Sequence, residues 1–212
     1  MYDHQEQEQI EDIKAWWKLY GKYVILGMGL VVIGYMLFQA YSYYQRTQNE
    51  KAGTMFNVVQ NAFRQQDEKQ LLQEAKLLQE TFSSNPLASR SAFLCAYLSH
   101  KNGHLNEAIS ELTWVEAHTH EAMLLDLARL RHAGILADEK KFNQALDLLN
   151  QNKDSAMFAA TMDLKGDIYT VMGKTNEARL SYQQVVNQQG SKNSLFKQLD
   201  QVKLDALGGS GS

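Results

Sequence analysis

The sequence predicts an all-α protein: a single transmembrane helix near the N-terminus, then an α-solenoid of antiparallel helix pairs. Three observations carry this. Residues 23–44 contain no Asp, Glu, Lys, Arg or His. Small alanines recur at a nearly regular interval through the remainder of the chain. The composition favours helix, with one proline in 212 residues and abundant Leu, Ala, Gln, Glu and Lys, residues that lose little freedom in a helix.

The length suits one ordinary domain plus an anchor. A formal net charge of −3 offers no basic surface to neutralise a phosphate backbone, so nucleic acid is excluded as a partner. Cys95 is the only cysteine. It sits between Leu94 and Ala96 and reads as a small buried thiol rather than a reactive one. The terminal run Gly208-Gly209-Ser210-Gly211-Ser212 reads as an appended linker or tag remnant, so residues 208–212 are set apart from the fold.

Between Val24 and Phe38 the chain is almost wholly apolar, and about 20 helical residues at 1.5 Å each cross the roughly 30 Å hydrocarbon layer. Trp16, Trp17, Tyr20 and Tyr23 precede the run and Tyr41, Tyr43 and Tyr44 follow it, as amphipathic rings do at headgroup level. A cleaved signal peptide would start basic and end at small residues. Here the lead-in is acidic (Asp3, Glu6, Glu8, Glu11, Asp12) and no A-x-A site follows, so the helix is expected to be retained. A core helix would show a polar face over this length, and none is present. Lys14, Lys18 and Lys22 lie before the span, Arg46 and Lys51 after it, a small bias toward a cytoplasmic N-terminus. Gly27 and Gly34 share a face without forming GxxxG and read as ordinary membrane-helix glycines. Residues 1–22 form a short helical segment with Ile10, Ile13, Trp17 and Tyr20 on one side, too acidic on the other to adhere strongly to an anionic leaflet. Residues 23–44 are the transmembrane helix and 45–207 the soluble domain.

From Gln45 onward the pattern breaks into helices of about 12 to 18 residues joined by short polar turns, the spacing of antiparallel pairs. Asn85 before Pro86 reads as an N-cap with proline at the first helical position, and Asn102-Gly103 as a stop. Alanines recur inside apolar helices at Ala75, Ala108, Ala145 and Ala178, close to the roughly 34-residue period of tetratricopeptide repeats. At such a position the second helix of a pair crosses the first too closely for a larger side chain. The unit carrying Gly166, Tyr169, Gly173, Ala178, Tyr182 and Val185 is the clearest. The unit from Ala92 to Val115 follows with Ala96, Gly103, Ala108 and Leu112. The unit from Arg129 to Asn152 keeps Ala133, Phe142, Ala145 and Leu149 but loses the turn glycine, and the unit around Ala75 keeps little more than that alanine and its leucines. The expected fold is therefore a tetratricopeptide-like solenoid of three to four degenerate pairs, with Ser191 to Leu207, carrying Leu195, Leu199, Val202 and Leu207, as the C-terminal capping helix.

The acidic start, the early membrane helix ending in aromatics, the Gln/Asn-rich join and the degenerate repeats together resemble the YfgM family over essentially the whole chain to Leu207. Local runs add to this: Asn106-Glu107-Ala108, Asp163-Leu164-Lys165-Gly166-Asp167, Gly173-Lys174 and Ala178-Arg179. The resemblance implies a bacterial inner-membrane protein, single-pass, with its N-terminus cytoplasmic and its C-terminal domain periplasmic. It further implies an ancillary subunit of the SecYEG translocon acting with the periplasmic chaperone PpiD, and no enzymatic activity.

No P-loop, G-x-S-x-G, H-E-x-x-H or C-x-x-C occurs, so neither catalytic residues nor a cofactor are expected. His100 and His104 have metal-ligand spacing but are separated by a predicted turn at Gly103, and His118 and His120 sit in another turn. A structural metal needs three or four converging ligands, so solvated turn histidines are the default and a metal-dependent sensor or enzyme stays a distant alternative. The inner wall of the solenoid is more informative. The repeat register places Arg90, Phe93, Tyr97 and His100 there in one unit and Asp163, Asp167 and Thr170 in another, a mixed aromatic and charged surface suited to a peptide or partner helix. Two readings stand: an open partner groove, or a wall covered by the terminal helix with Phe93 and Tyr97 in the core. The expected function is a membrane-tethered interaction module in contact with the lipid bilayer, SecYEG and PpiD; the same architecture would also serve an envelope assembly or cell-division scaffold.

Overall fold

The structure, a computed structural model, describes residues 3–152, 156–187 and 195–208. Among these the chain forms nine α-helices and no strand: α1 (Asp3–Arg64), α2 (Glu68–Thr81), α3 (Pro86–Lys101), α4 (Leu105–His118), α5 (Ala122–Asp138), α6 (Phe142–Leu149), α7 (Phe158–Val171), α8 (Thr175–Asn187) and α9 (Leu195–Ala206). They fall into two units, Met1–Lys51 and Ala52–Ser212.

The first unit is helix α1 as far as Lys51. Every large apolar side chain from Ile25 to Phe38 is more than half exposed, and the helix is long and apolar enough to cross a membrane with none of its apolar window buried. A core helix would have those side chains covered; a helix apolar on all sides and uncovered is matched to lipid, where its backbone is already satisfied internally. The aromatic brackets, Trp16 to Tyr23 and Tyr41 to Tyr44, are likewise exposed. The side chains of Ile10 and Ile13 lie outside the described residues, and Trp17 and Tyr20, placed on the same side by the sequence, are exposed.

The short helices expected from Gln45 onward begin later: beyond the apolar segment the helix continues without a turn to Arg64. Nothing between Gln45 and Arg64 stops a helix: there is no proline, and the single glycine, Gly53, has open space around it. The first helix of the first repeat is thus the continuation of the anchor helix, with Ala52, Val59 and Ala62 already in the core of the second unit.

The second unit stacks four helix pairs: residues 52–64 with α2, α3 with α4, α5 with α6, and α7 with α8, closed by α9. Each pair turns in the same way. Gln66, Gly103, Lys140 and Gly173 all have positive φ (58°, 83°, 62° and 72°), and the next residue's N–H bonds back five residues, from Asp67 to Ala62 O, His104 to Ser99 O, Lys141 to Leu136 O and Lys174 to Tyr169 O, at 2.8–3.1 Å. This is the Schellman stop. Two of the four turns use glycine, as the left-handed backbone prefers, while Gln66 and Lys140 adopt it against the steric preference of an L side chain. That explains why the sequence pattern fades in those two units although the backbone does not. Starts are signalled as expected: Asn85 Oδ1 accepts from Leu87 N at 3.0 Å ahead of Pro86, and Asp67 Oδ1 accepts from Gln70 N at 3.0 Å.

The recurring alanines Ala75, Ala108, Ala145 and Ala178 are all fully buried. In three units a second small residue lies on the first helix, Ala96, Ala133 or Gly166, and shares a core with a larger side chain of the second: Leu112, Leu149 and Tyr182 respectively. The size trade is sharpest in the last. A Cβ on Gly166 would lie 2.2 Å from Tyr182 Cε1, so the tyrosine ring occupies the volume that an alanine leaves to leucine elsewhere. Cys95 is fully buried, as the sequence implied, and its Sγ lies 3.8 Å from Leu71 O. Burial pushes the thiol far above its usual range, with Glu111 and Glu68 adding to it, so it stays protonated and unreactive.

Gly166→Ala is expected to destabilise the domain by about 1–3 kcal/mol through overpacking, while Gly166→Ala combined with Tyr182→Leu recreates the alanine–leucine arrangement of the other pairs and loses less than the two single changes summed. Urea unfolding of the four proteins measures the coupling; strictly additive losses would contradict this packing.

Candidate functional site

The first helices of the pairs share one side of the second unit, and between α3, α5 and α7 they leave a cavity of about 660 Å³. Phe93, Ala96, Tyr97 and His100 of α3 form one wall. Leu127, Leu130, Gly134 and Ile135 of α5 form the floor, Ala160, Asp163 and Leu164 of α7 the opposite wall, and Phe196 of α9 reaches the edge. Tyr97 is 58% exposed and its ring leans on Phe63, with centroids 5.9 Å apart. Arg131 and Asp138 of α5 line the cavity with His100, whose Nε2 is 3.8 Å from Asp138 Oδ2. Apolar walls with a few charged groups at the rim are the composition of a peptide or helix groove.

Of the residues placed on this wall from sequence, Phe93, Tyr97, His100 and Asp163 are brought together. Arg90 stands exposed on α3 outside the lining. Asp167 and Thr170 face a different neighbour: Tyr182 Oη donates to Asp167 Oδ1 at 2.8 Å, and Thr170 Oγ1, which donates to Gly166 O at 2.8 Å, lies 3.2 Å from that hydroxyl. Helix α9 covers this end of the wall. Its Lys203 donates to Asp167 Oδ1 at 2.7 Å and to Asp163, and its ammonium lies 5.3 Å from the centre of the Tyr182 ring. The wall is thus open at α3 and α5, while the terminal helix is seated on α7. Burial, offset by Thr170 and reinforced by the Asp167 carboxylate, pushes the Tyr182 hydroxyl up to about 12, so it remains a donor. Sequence inspection missed Leu127, Leu130 and Gly134 because they lie in or just before a degenerate unit that lacks the turn glycine; counting the helical register back from Ala145 would have found them. The capping helix expected from Ser191 is described from Leu195, and the residues before it and the end of the glycine-serine tail lie outside the described residues.

Polar ties hold the pairs in line. Glu68, at the first turn of α2, accepts from Ser99 Oγ and Asn102 Nδ2, both at 2.7 Å, and meets His104 Nδ1 at 2.9 Å. Burial pushes the Glu68 carboxyl up, but the bonds from Asn102, His104 and Ser99 outweigh it and hold the carboxyl below its ordinary value; the same carboxylate raises the His104 imidazole. Further along, Gln79 Nε2 donates to Glu111 Oε2 at 2.7 Å, His132 Nδ1 lies 3.0 Å from Glu116, and Asn152 Nδ2 donates to Asp126 O and Thr161 Oγ1 at 3.0 and 3.1 Å. His118 stacks on Trp114 with centroids 4.3 Å apart. Among the described residues no three His, Cys, Asp or Glu side chains converge as metal ligands.

A long uncovered apolar helix leading into stacked helix pairs with a groove on their inner layer defines a membrane-anchored helical-repeat protein. Residues 14–209 match a family model described as "Tetratricopeptide repeat-like domain", and the chain belongs to that family. Three curated proteins, each named "Ancillary SecYEG translocon subunit", resemble it along nearly their whole lengths. That of Neisseria gonorrhoeae is 26% identical over 96% of this chain and 97% of its own. Those of Haemophilus influenzae and Aggregatibacter actinomycetemcomitans are each 25% identical over 97% of this chain and 99% of theirs. The YfgM resemblance drawn from the sequence is supported by these likenesses together with the repeat-like domain.

The Glu68–His104 tie has a testable pH signature. Because the His104 pKa is raised in the fold from its ordinary 6.5, the stabilisation is complete below that value and is lost as pH rises through the raised one. Urea midpoints should therefore fall between pH 6 and pH 8.5 more steeply for the wild type than for His104→Asn; equal slopes would show that the pair does not contribute.

Proposed function

We propose that this protein is a non-enzymatic ancillary subunit of the SecYEG translocon, an inner-membrane protein with its N-terminus cytoplasmic and its repeat domain periplasmic, and that it couples emerging proteins to periplasmic chaperones by binding PpiD. The observation that carries this reading is the groove on α3, α5 and α7, apolar in its walls and charged at its rim, on a chain similar from end to end to proteins named as translocon subunits. Tyr97 and Phe93 supply aromatic contact area of the kind that anchors partners, and Asp163, Arg131 and His100 orient what lies between them. Three lysines before the span (Lys14, Lys18, Lys22) against two basic residues after it (Arg46, Lys51) favour the N-in arrangement, and the implied family role agrees with it. Anchoring adds to affinity: confinement to the same membrane raises effective concentration, so a groove of modest contact area sustains an assembly.

Gly134 allows a direct test. It lines the groove floor, and a Cβ there meets nothing within 4 Å. Gly134→Leu should leave the fold intact, since replacing a mid-helix glycine removes a cost of about 1 kcal/mol, while filling the groove. Co-purification of PpiD from detergent-solubilised membranes is expected to fall at least tenfold with Gly134→Leu and to persist with Leu180→Ala on α8. Undiminished recovery with a folded Gly134→Leu protein would overturn the groove as the docking site.

A further inference from the structure

Helix α9 is seated on its neighbours by an unusual group of charges. Asp200 is fully buried, and neither of its carboxyl oxygens meets a hydrogen-bond donor among the described residues. One turn further along α9, Lys203 reaches Asp163 and Asp167 of α7, which brings Asp200 to the same acids, and Asp163 acts on its carboxyl directly. Two carboxylates have no proton to share; one of them must bring it. The ammonium that meets these carboxyl groups among the described residues, that of Lys203 of α9, already donates to Asp163 and Asp167. From α8, the Tyr182 hydroxyl is committed to Asp167, and the Arg179 guanidinium donates to Leu207 O at 3.0 Å through one terminal nitrogen, its buried Nε meeting no acceptor among the described residues. The cluster therefore places three carboxyl groups against one cation, and it balances better with one of them neutral.

We propose that α9 is a proton-latched clamp: one proton held between Asp200 and Asp163 keeps the helix on α7 and α8, and its loss releases the helix and with it Phe196, the α9 residue at the groove's edge. The consequence for the groove rests on the docking reading above, whereas the latch itself does not. Burial first, then the neighbouring Asp163, pushes the Asp200 carboxyl up to about 8, far from its ordinary 3.8. The sign follows by linkage. A group whose pKa is raised in the seated state stabilises that state fully below its free value and loses this as pH rises toward the raised one. With one proton released on opening, the opening constant of α9 rises about tenfold per pH unit between those limits and levels off above them.

Hydrogen exchange of the full-length protein in detergent micelles, read peptide by peptide and corrected for intrinsic exchange, tests this without any partner. Between pH 5 and pH 7 the opening constant of residues 195–206 should rise about 100-fold, with α5 changing far less. Asp200→Asn, whose amide can donate to Asp163, and Asp200→Leu, which fills the buried position without a titrating group, each remove the acid that takes up the proton and should abolish the slope; either variant that folds suffices. A wild-type α9 whose protection does not depend on pH, or a folded Asp200→Asn or Asp200→Leu protein that keeps the slope, would overturn the latch. Because binding is not measured, an unaffected Gly134→Leu protein would sink the docking reading and leave the latch standing.

Discussion

The close crossing of the two helices in each pair is the constraint on which the rest depends. Ala75, Ala108, Ala145 and Ala178 are all fully covered, and any larger side chain would force the helices apart. Where a second small residue faces the crossing, the partner helix supplies the bulk, a leucine opposite Ala96 or Ala133 and a tyrosine opposite Gly166. Close crossing within pairs lets the first helices line up on one side, and their alignment produces the groove. The same crossing positions Tyr182 so that its hydroxyl reaches Asp167, which joins the packing of the last pair to the charges that seat α9.

The anchor and the repeats were legible in the sequence for different reasons. An uninterrupted apolar run signals a membrane helix without tertiary information, and the buried alanines signal crossings because few other residues fit. The boundary between the two was not legible. Residues 45–51 are polar and rich in Gln and Asn, which resembles a linker, yet helical propensity there is ordinary and nothing terminates the helix before Gln65-Gln66. Turn glycines also mislead when missing: Lys140 takes the same left-handed conformation as Gly103 and Gly173, because the stacked helices on both sides dictate the turn. Local propensity is a weak prior where tertiary packing decides.

The residues that the repeat register puts on the inner wall do not all line the groove. Phe93, Tyr97, His100 and Asp163 meet across the groove. Asp167 and Thr170 lie on the same helix but turn to the Tyr182 hydroxyl, and Lys203 of α9 ties Asp167 and Asp163 together. No repeat pattern could reveal this, since it depends on α9, which belongs to no repeat. The capping helix departs from a simple amphipathic pattern: Asp200 is buried beside Leu204, whereas Leu199 and Val202 are 44% and 66% exposed. Its seating therefore combines apolar contact with hydrogen bonds and ion pairs, and the latter are sensitive to protonation in a way that the alanine crossings are not.

The claim that the inner layer of the repeats, rather than their outer helices, meets the partner is tested most directly by photo-crosslinking in native membranes. A benzophenone side chain at Tyr97, in the groove, is compared with one at Leu180, exposed on α8. Adducts with a SecYEG-associated chaperone from position 97 and not from 180 are the predicted result; adducts from 180 with none from 97 would contradict it.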